Sequence, residues 1–117
     1  MLFRHSHVLE CKKGDLVIGR GQVTRTLFLV LDGILEVRFD GRVVNVLTRG
    51  DCAGEIAFLH EVTRSADIFA ASDSVRLLSL SESSIRKLLE TDAPAAYQLM
   101  LNLAKSLAKK LIDREGF

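Results

Sequence analysis

Several residue types that would point to particular classes of protein are scarce in this sequence. It contains one proline and no tryptophan, and no segment is dominated by a few residue types. This composition gives no sign of a linker between domains. No apolar run approaches the roughly 20 residues that a membrane-spanning helix needs. We therefore expect one globular domain over residues 1–117, without membrane contact.

An excess of either charge is also missing. The sequence contains sixteen Lys and Arg residues and fifteen Asp and Glu residues, which gives a net charge of +1. Such a balance gives no basic footprint for nucleic acid or for an anionic membrane surface. The two cysteines, Cys11 and Cys52, are not spaced as a CxxC pair. Because the N-terminus shows no signal-peptide pattern, we expect reduced thiols and a cytoplasmic protein.

What the sequence does contain, from about residue 8 to residue 80, is a series of short β-branched and apolar runs separated by glycine. Apolar and charged residues alternate over 35–39, as in a half-buried strand. Asp40-Gly41 follows, a pair that favours a type I′ hairpin turn because both positions need positive φ. The predicted strands are 27–31, 34–39, 43–47, 68–71 and 75–80. Many short strands with frequent turns indicate a β-sandwich, roll or barrel.

Helical periodicity replaces this pattern after about residue 81. Ser81 suits an N-cap, since its hydroxyl can accept a hydrogen bond from an unpaired backbone N–H. Pro94 suits the first turn of a second helix, expected over 94–113. A broad stripe of leucine and alanine covers one side of this helix. The stripe is wide enough to cover the domain's own sheet and also to meet a partner helix.

The segment GEIAFLHEVTRSA, residues 54–66, carries the candidate chemistry. Gly54 loosens the backbone before a short apolar run that can start a helix, whose unpaired N–H groups favour an anion. Glu55 would repel a phosphate there, so it is better suited to accept hydrogen bonds from hydroxyls such as those of a ribose. The planar guanidinium of Arg64 matches phosphate oxygens, and Ser65 adds a hydroxyl beside it. Together these groups describe a site for a nucleotide with a single phosphate charge.

This segment resembles the phosphate-binding cassette of the cyclic nucleotide-binding domain family, in which a G-E-[LI]-A-L run precedes R-[AS]-A. The spacing between the glutamate and the arginine is similar here. Glycines at the family's turn positions extend the resemblance over nearly the whole chain: Gly14, Gly21, Gly33 and Gly50. The resemblance implies a mainly β fold, a double-stranded β-helix or jelly-roll-like β-roll over about 8–80, followed by two α-helices over about 81–113.

The resemblance also implies roles for individual residues. The carboxylate of Glu55 is expected to bind the ribose 2′-hydroxyl, and Arg64 is expected to bind the cyclic phosphate. Backbone amides and the serine hydroxyl complete the cradle, so the implied ligand-binding residues are Gly54, Glu55, Ile56, Ala57, Arg64, Ser65 and Ala66. We expect cyclic AMP as the ligand, on family frequency alone, with cyclic GMP as the alternative.

The segment departs from the family pattern at a few positions. Thr63 stands where proline is usual, and residues 60–62 replace a glycine-containing tip, which indicates a less tightly turned tip. Glu61 in that tip adds a negative charge near the pocket. Asp67 stands where a small hydroxyl residue is frequent. Because successive strand residues face opposite sides, Asp67 is expected to point away from the cradle.

The function implied by the resemblance is a regulatory module. Ligand binding is expected to shift the last helix, and that shift to reach a partner, either a fused effector domain or a second copy of the chain. The expected homodimer contacts are four leucines, Leu99, Leu103, Leu107 and Leu111. The sequence ends soon after the last of these, so we expect no helix-turn-helix and no direct DNA binding by this chain.

One alternative is a roll that has lost its ligand and serves only as a dimerisation or interaction module. Arg64 would then be a surface arginine paired with Glu55 or Asp67. Cys52, next to the cassette, is interpreted as a small packing residue.

The other alternative is a metal site like that of cupins, built from His5, His7 and Glu10. The ligand set is incomplete, so we predict no metal and no cofactor. The sequence has no Ser/His/Asp arrangement, carboxylate pair or Walker-type loop. We therefore expect no catalytic residues, and a protein that is not an enzyme.

Overall fold

The computed structural model describes residues 7–21, 26–54 and 66–115, and the fold below is that of these residues. They form eight β-strands and then two α-helices. The strands are β1 (His7–Lys12), β2 (Leu16–Ile18), β3 (Leu27–Asp32), β4 (Leu35–Phe39), β5 (Arg42–Leu47), β6 (Cys52–Ala53), β7 (Asp67–Ala70) and β8 (Ser74–Leu80). The helices are α1 (Glu82–Thr91) and α2 (Ala93–Glu115). The expected fold class, a mainly β roll followed by two helices, is confirmed.

The strands form two antiparallel sheets. The first sheet has the order β1-β8-β3-β6 and the second has the order β2-β7-β4-β5. Side chains alternate between two cores along the central strands of the first sheet. Val30 and its cross-strand partner Leu77 face the second sheet, whereas Leu29 and its partner Leu78 face the helices. The first sheet is therefore covered on both faces, by the second sheet and by the helix pair.

The crossing from the first sheet to the second, between β3 and β4, is tightly packed. Gly33 lies there with φ of +94°, a conformation that strains other residues. A Cβ atom at Gly33 would lie 2.5 Å from the carbonyl oxygen of Ser74. The next backbone amide, that of Ile34, donates a 2.9 Å hydrogen bond to Ser72 Oγ. The chain can pass β8 here only because the position has no side chain.

The hairpin between β4 and β5 has the turn that its sequence predicts. Asp40 has φ of 51° and Gly41 has φ of 78°, so both turn residues are in the left-handed region. After the turn, β5 is an edge strand with three half-exposed valines, Val43, Val44 and Val46. Asn45 Oδ1 accepts a 2.9 Å hydrogen bond from the Val46 N–H. A side chain of β5 therefore holds one amide of this strand.

Local sequence signals at the helix termini are confirmed. Ser81 is the N-cap of α1, and its side chain accepts a 3.1 Å hydrogen bond from Ser84 N–H. Pro94 is the second residue of α2. Within the described part of the chain, neither helix combines the length and the apolar character needed to cross a bilayer.

Candidate functional site

The predicted cassette connects the two sheets. It leaves β6, an edge strand of the first sheet, at Gly54 and joins β7 of the second sheet after Ala66. Of the predicted ligand-binding residues, the structure describes Gly54 and Ala66. Both are partly exposed, and Gly54 has φ of 82°. The other predicted ligand-binding residues lie outside the described ranges: Glu55, Ile56, Ala57, Arg64 and Ser65.

The entry to the cassette is fixed by β3. Cys52 and Ala53 pair with Leu29 and Phe28, and both residues of β6 are fully buried. The backbone of Val30 also holds the preceding turn, since its N–H donates to the carbonyl of Asp51 at 2.9 Å. The interpretation of Cys52 as a packing residue is confirmed, and no disulfide joins it to Cys11. Gly54 therefore follows a strand that is buried and paired with β3.

Helix α2 also contacts the entry strand. The Cys52 N–H donates a hydrogen bond of 3.4 Å to Ser106 Oγ, and Ser106 is buried. One turn later, Lys109 Nζ lies 4.0 Å from Asp51 Oδ1. Ser106 was not predicted from the sequence, although its spacing from Leu99 and Leu103 puts it on the same helical face. The second half of α2 thus rests on the strand that leads into the cassette.

The exit from the cassette is held by Asp67, the first residue of β7. Its Oδ1 accepts a 2.7 Å hydrogen bond from the backbone N–H of Arg20, in the turn that follows β2. The Arg20 guanidinium is 2.9 Å from Asp40 Oδ1, and it lies 4.2 Å from the centroid of the Phe39 ring. We call Arg20, Phe39, Asp40 and Asp67 the exit cluster. It ties the cassette's end to the β4–β5 hairpin.

Two of the four leucines expected at a dimer interface are in the wrong place for that role. Leu99 is 8% exposed and Leu103 is 2% exposed, because both pack against the first sheet and α1. This part of the prediction is wrong. Leu107 is half-buried and Leu111 is 53% exposed. The exposed apolar side of α2, which we call the outer stripe, consists of Tyr97, Met100, Ala104, Ala108 and Leu111.

An apolar groove of about 240 Å³ lies between the first sheet and the two helices. Leucines from β3, β8 and both helices line it, together with Ala95. Its polar rim consists of Gln98 and Asn102, whose side chains form a 3.0 Å hydrogen bond with each other. None of the lining residues that the structure describes carries a charge, so these residues give the groove no ionic partner for a phosphate.

Among the residues that the structure describes, acidic, histidine and cysteine side chains do not cluster as metal ligands would. No group of three such residues lies together in the ranges that the structure describes. His5 of the cupin-like alternative is outside those ranges, and so is the side chain of His7.

Comparison with known proteins gives consistent matches. The family model described as "Cyclic nucleotide-binding domain" matches residues 8–92. The regulatory subunit of the cAMP-dependent protein kinase of Schizosaccharomyces pombe is 35% identical over 77 residues, 65% of this chain and 18% of that protein. A cGMP-dependent protein kinase of Toxoplasma gondii is 32% identical over 79 residues, 68% of this chain and 8% of the kinase. The chain thus spans less than a fifth of either relative.

Solved structures match over a larger share of the chain. The catabolite activator protein of Thermus thermophilus has a TM-score of 0.74 at 25% identity, with 97% of this chain and 54% of that one covered. A cyclic nucleotide-binding domain from Methylobacillus flagellatus has a TM-score of 0.78 at 19% identity, with 94% and 66% covered. At that identity the second match supports the fold alone.

Proposed function

Because this chain belongs to the cyclic nucleotide-binding domain family, we propose that it binds a cyclic nucleotide within segment 54–66 and acts as a regulatory module, not as an enzyme. The observation that carries this proposal is the position of the segment. It lies within the matched residues, and it crosses from a buried strand of one sheet to the first residue of a strand in the other. Both ends of the binding segment are thereby fixed to the roll.

In the proposed site, Glu55 accepts hydrogen bonds from the ribose 2′-hydroxyl and the Arg64 guanidinium binds the cyclic phosphate through two parallel hydrogen bonds. The remaining contacts come from the backbone and one hydroxyl, at Gly54, Ile56, Ala57, Ser65 and Ala66. Relatives named for cAMP and for cGMP match this chain about equally well. We propose cyclic AMP, with cyclic GMP as the competing ligand.

We further propose that ligand binding is transmitted through α2. The Cys52–Ser106 hydrogen bond joins this helix to the strand that precedes Glu55. A ligand that repositions the segment after Ala53 would therefore change the position of α2 against the first sheet. Ligand can shift this equilibrium only by its differential affinity for the two arrangements of the helix. The receiver is a fused effector domain in a longer protein or a second copy of this chain, acting in the cytoplasm.

The outer stripe favours a second copy as one partner. Its five residues are spaced 3, 4, 4 and 3 apart, an average of about 3.5, which is the mean seam spacing of a two-stranded coiled coil without its strict alternation of 3 and 4. Small residues at Ala104 and Ala108 would allow close approach of two helices. This stripe replaces the four leucines as the proposed homodimer contact, and Leu111 belongs to both sets. The same surface would serve the alternative function, an interaction module without ligand.

Titration calorimetry with cyclic AMP and cyclic GMP tests the proposal. We expect one ligand per chain, and a gain of about 2.7 kcal/mol in the free energy of unfolding at 100 times the dissociation constant. Arg64→Ala should weaken binding about 100-fold or more, because a desolvated charge pair is lost. Arg49→Ala removes the same charge from an exposed turn and should leave affinity unchanged.

The outcomes separate the two functions. Binding by the wild type that is lost in Arg64→Ala and kept in Arg49→Ala supports the proposed site. If neither nucleotide binds or stabilises the wild type at millimolar concentration, the non-binding interaction module is the better assignment. Recovery of the nucleotide unchanged after incubation with the protein checks that the chain is not an enzyme.

A further inference from the structure

The hydrogen bond of Asp67 extends the pairing between β2 and β7 toward the cassette. Those strands pair at Leu16–Phe69 and Ile18–Ile68, with a shift in register between the two pairs. Beyond Ile68 the Asp67 carboxylate accepts the Arg20 N–H at 2.7 Å. A side chain thus makes the attachment next to Ala66, the last residue of the cassette.

The turn that Asp67 holds is itself attached to the rest of the second sheet. Arg20 forms an ion pair with Asp40 and lies over the ring of Phe39, at the end of the β4–β5 hairpin. The ion pair is exposed at both ends, with side-chain exposures of 48% and 69%, so solvent screens it strongly. The hydrogen bond to Asp67 has a backbone donor, so it fixes the main chain at Arg20 directly, whereas the ion pair acts through a long side chain.

From this geometry we propose that Asp67 is a positioning residue for the cyclic nucleotide site, an inference that rests on the function proposed above. By holding the start of β7 to the turn at Arg20, the carboxylate fixes the place where the chain enters the second sheet after Ala66. Arg64 is three residues away along the chain. Two parallel hydrogen bonds to a phosphate require its guanidinium to be placed within about 0.5 Å. Loosening the exit therefore weakens ligand binding without removing any ligand contact.

A purely electrostatic role for Asp67 makes the opposite prediction. A carboxylate close to an anionic ligand opposes binding, so its removal would tighten the complex. The two roles separate because Asn keeps the accepting oxygen but not the charge, whereas Ala keeps neither. Asp40 supplies a matched control. Asp40→Ala removes a carboxylate from the same exit cluster and leaves the Arg20 N–H bond to Asp67 in place.

The experiment is titration calorimetry of the wild type, Asp67→Ala, Asp67→Asn and Asp40→Ala with cyclic AMP and cyclic GMP. We expect Asp67→Ala to bind about fivefold more weakly, as for loss of one net hydrogen bond. Asp67→Asn and Asp40→Ala should stay within about twofold of the wild type. Asp67→Val, which suits a strand but has no acceptor, should repeat the loss and serves if the alanine variant does not fold. Thermal unfolding without ligand establishes which variants are folded.

The following results support or overturn the positioning role of Asp67. Loss of affinity in the alanine or valine variant, with rescue by asparagine, supports the positioning role. Tighter binding in both the alanine and asparagine variants overturns it in favour of charge repulsion, and unchanged affinity in folded Asp67→Ala overturns it outright. A wild type that binds neither nucleotide removes the proposed function and this inference together. If the wild type binds nucleotide and Asp67→Ala binds it equally well, only the inference about Asp67 is removed.

Discussion

Gly33 and Gly14 offer a matched test of how closely the chain approaches itself where the two sheets are joined. Both residues have φ of +94°, so replacement by alanine imposes the same backbone strain. Their surroundings differ. A Cβ at Gly14 would have no atom within 4 Å, whereas a Cβ at Gly33 would meet Ser74 O at 2.5 Å and Val75 Cα at 2.9 Å. The difference between the two variants therefore isolates the steric contribution.

The expected magnitudes follow from these distances. Left-handed backbone costs a residue other than glycine about 1–2 kcal/mol, which is the whole effect expected for Gly14→Ala. At Gly33 the obstructing atoms of Ser74 and Val75 are backbone atoms of β8, a strand paired on both sides. They cannot yield as a flexible side chain would, so overpacking adds about 1–3 kcal/mol. We expect Gly33→Ala to lower the free energy of unfolding by about 2 kcal/mol more than Gly14→Ala.

Urea unfolding at 25 °C, followed by far-ultraviolet circular dichroism, measures both variants. The midpoint should fall in each case and much further for Gly33→Ala, with an unchanged slope against urea. Equal destabilisation of the two variants would refute the reasoning, because it would mean that β8 gives way to the added methyl group. A changed slope would instead indicate a change in the compactness of one of the two states.

Two more predictions concern α2. Ser106→Ala removes the bond to Cys52 and should lower the free energy of unfolding by only about 0.5–1 kcal/mol. It should also reduce the change that ligand produces in hydrogen exchange of α2, and an undiminished change would show that the coupling runs elsewhere. Met100→Glu on the outer stripe should shift a dimer to monomer in sedimentation equilibrium, whereas Lys105→Ala, off the stripe, should not. If the dimer persists in Met100→Glu, or if the wild type is monomeric at every concentration, the outer stripe is not a homodimer contact.

Features set by local chemistry could be predicted from the sequence. Asp40-Gly41 specifies its own turn, and Ser81 and Pro94 mark helix starts through groups within one helical turn. By contrast, β2 and β6, three and two residues long, are too short for any periodicity to appear. Their existence depends on partners distant in sequence. β1 was missed as well, although its six residues pair along most of β8.

The leucine and alanine stripe of α2 shows that side-chain positions are also hard to predict from local sequence alone. The stripe is wider than the face of α2 that the roll covers, and periodicity alone does not tell which edge of a wide stripe meets the sheet. The rotation of α2 is set by contacts with the first sheet, among them Leu103 against the roll and Ser106 against Cys52. That rotation leaves Tyr97 and Met100 outside. The hydrogen bond between Arg20 and Asp67, which lie 47 positions apart in the sequence, likewise could be found only from the folded structure.

The hydrogen bond from Val46 N–H to Asn45 bears on how copies of this domain can assemble. Among the described residues, β5 lies at the edge of its sheet and exposes three valines, a combination that can recruit another strand and lead to aggregation. An incoming strand would have to break the hydrogen bond between Val46 and Asn45 before it could pair at that amide. At this position the strand therefore carries its own protection against aggregation.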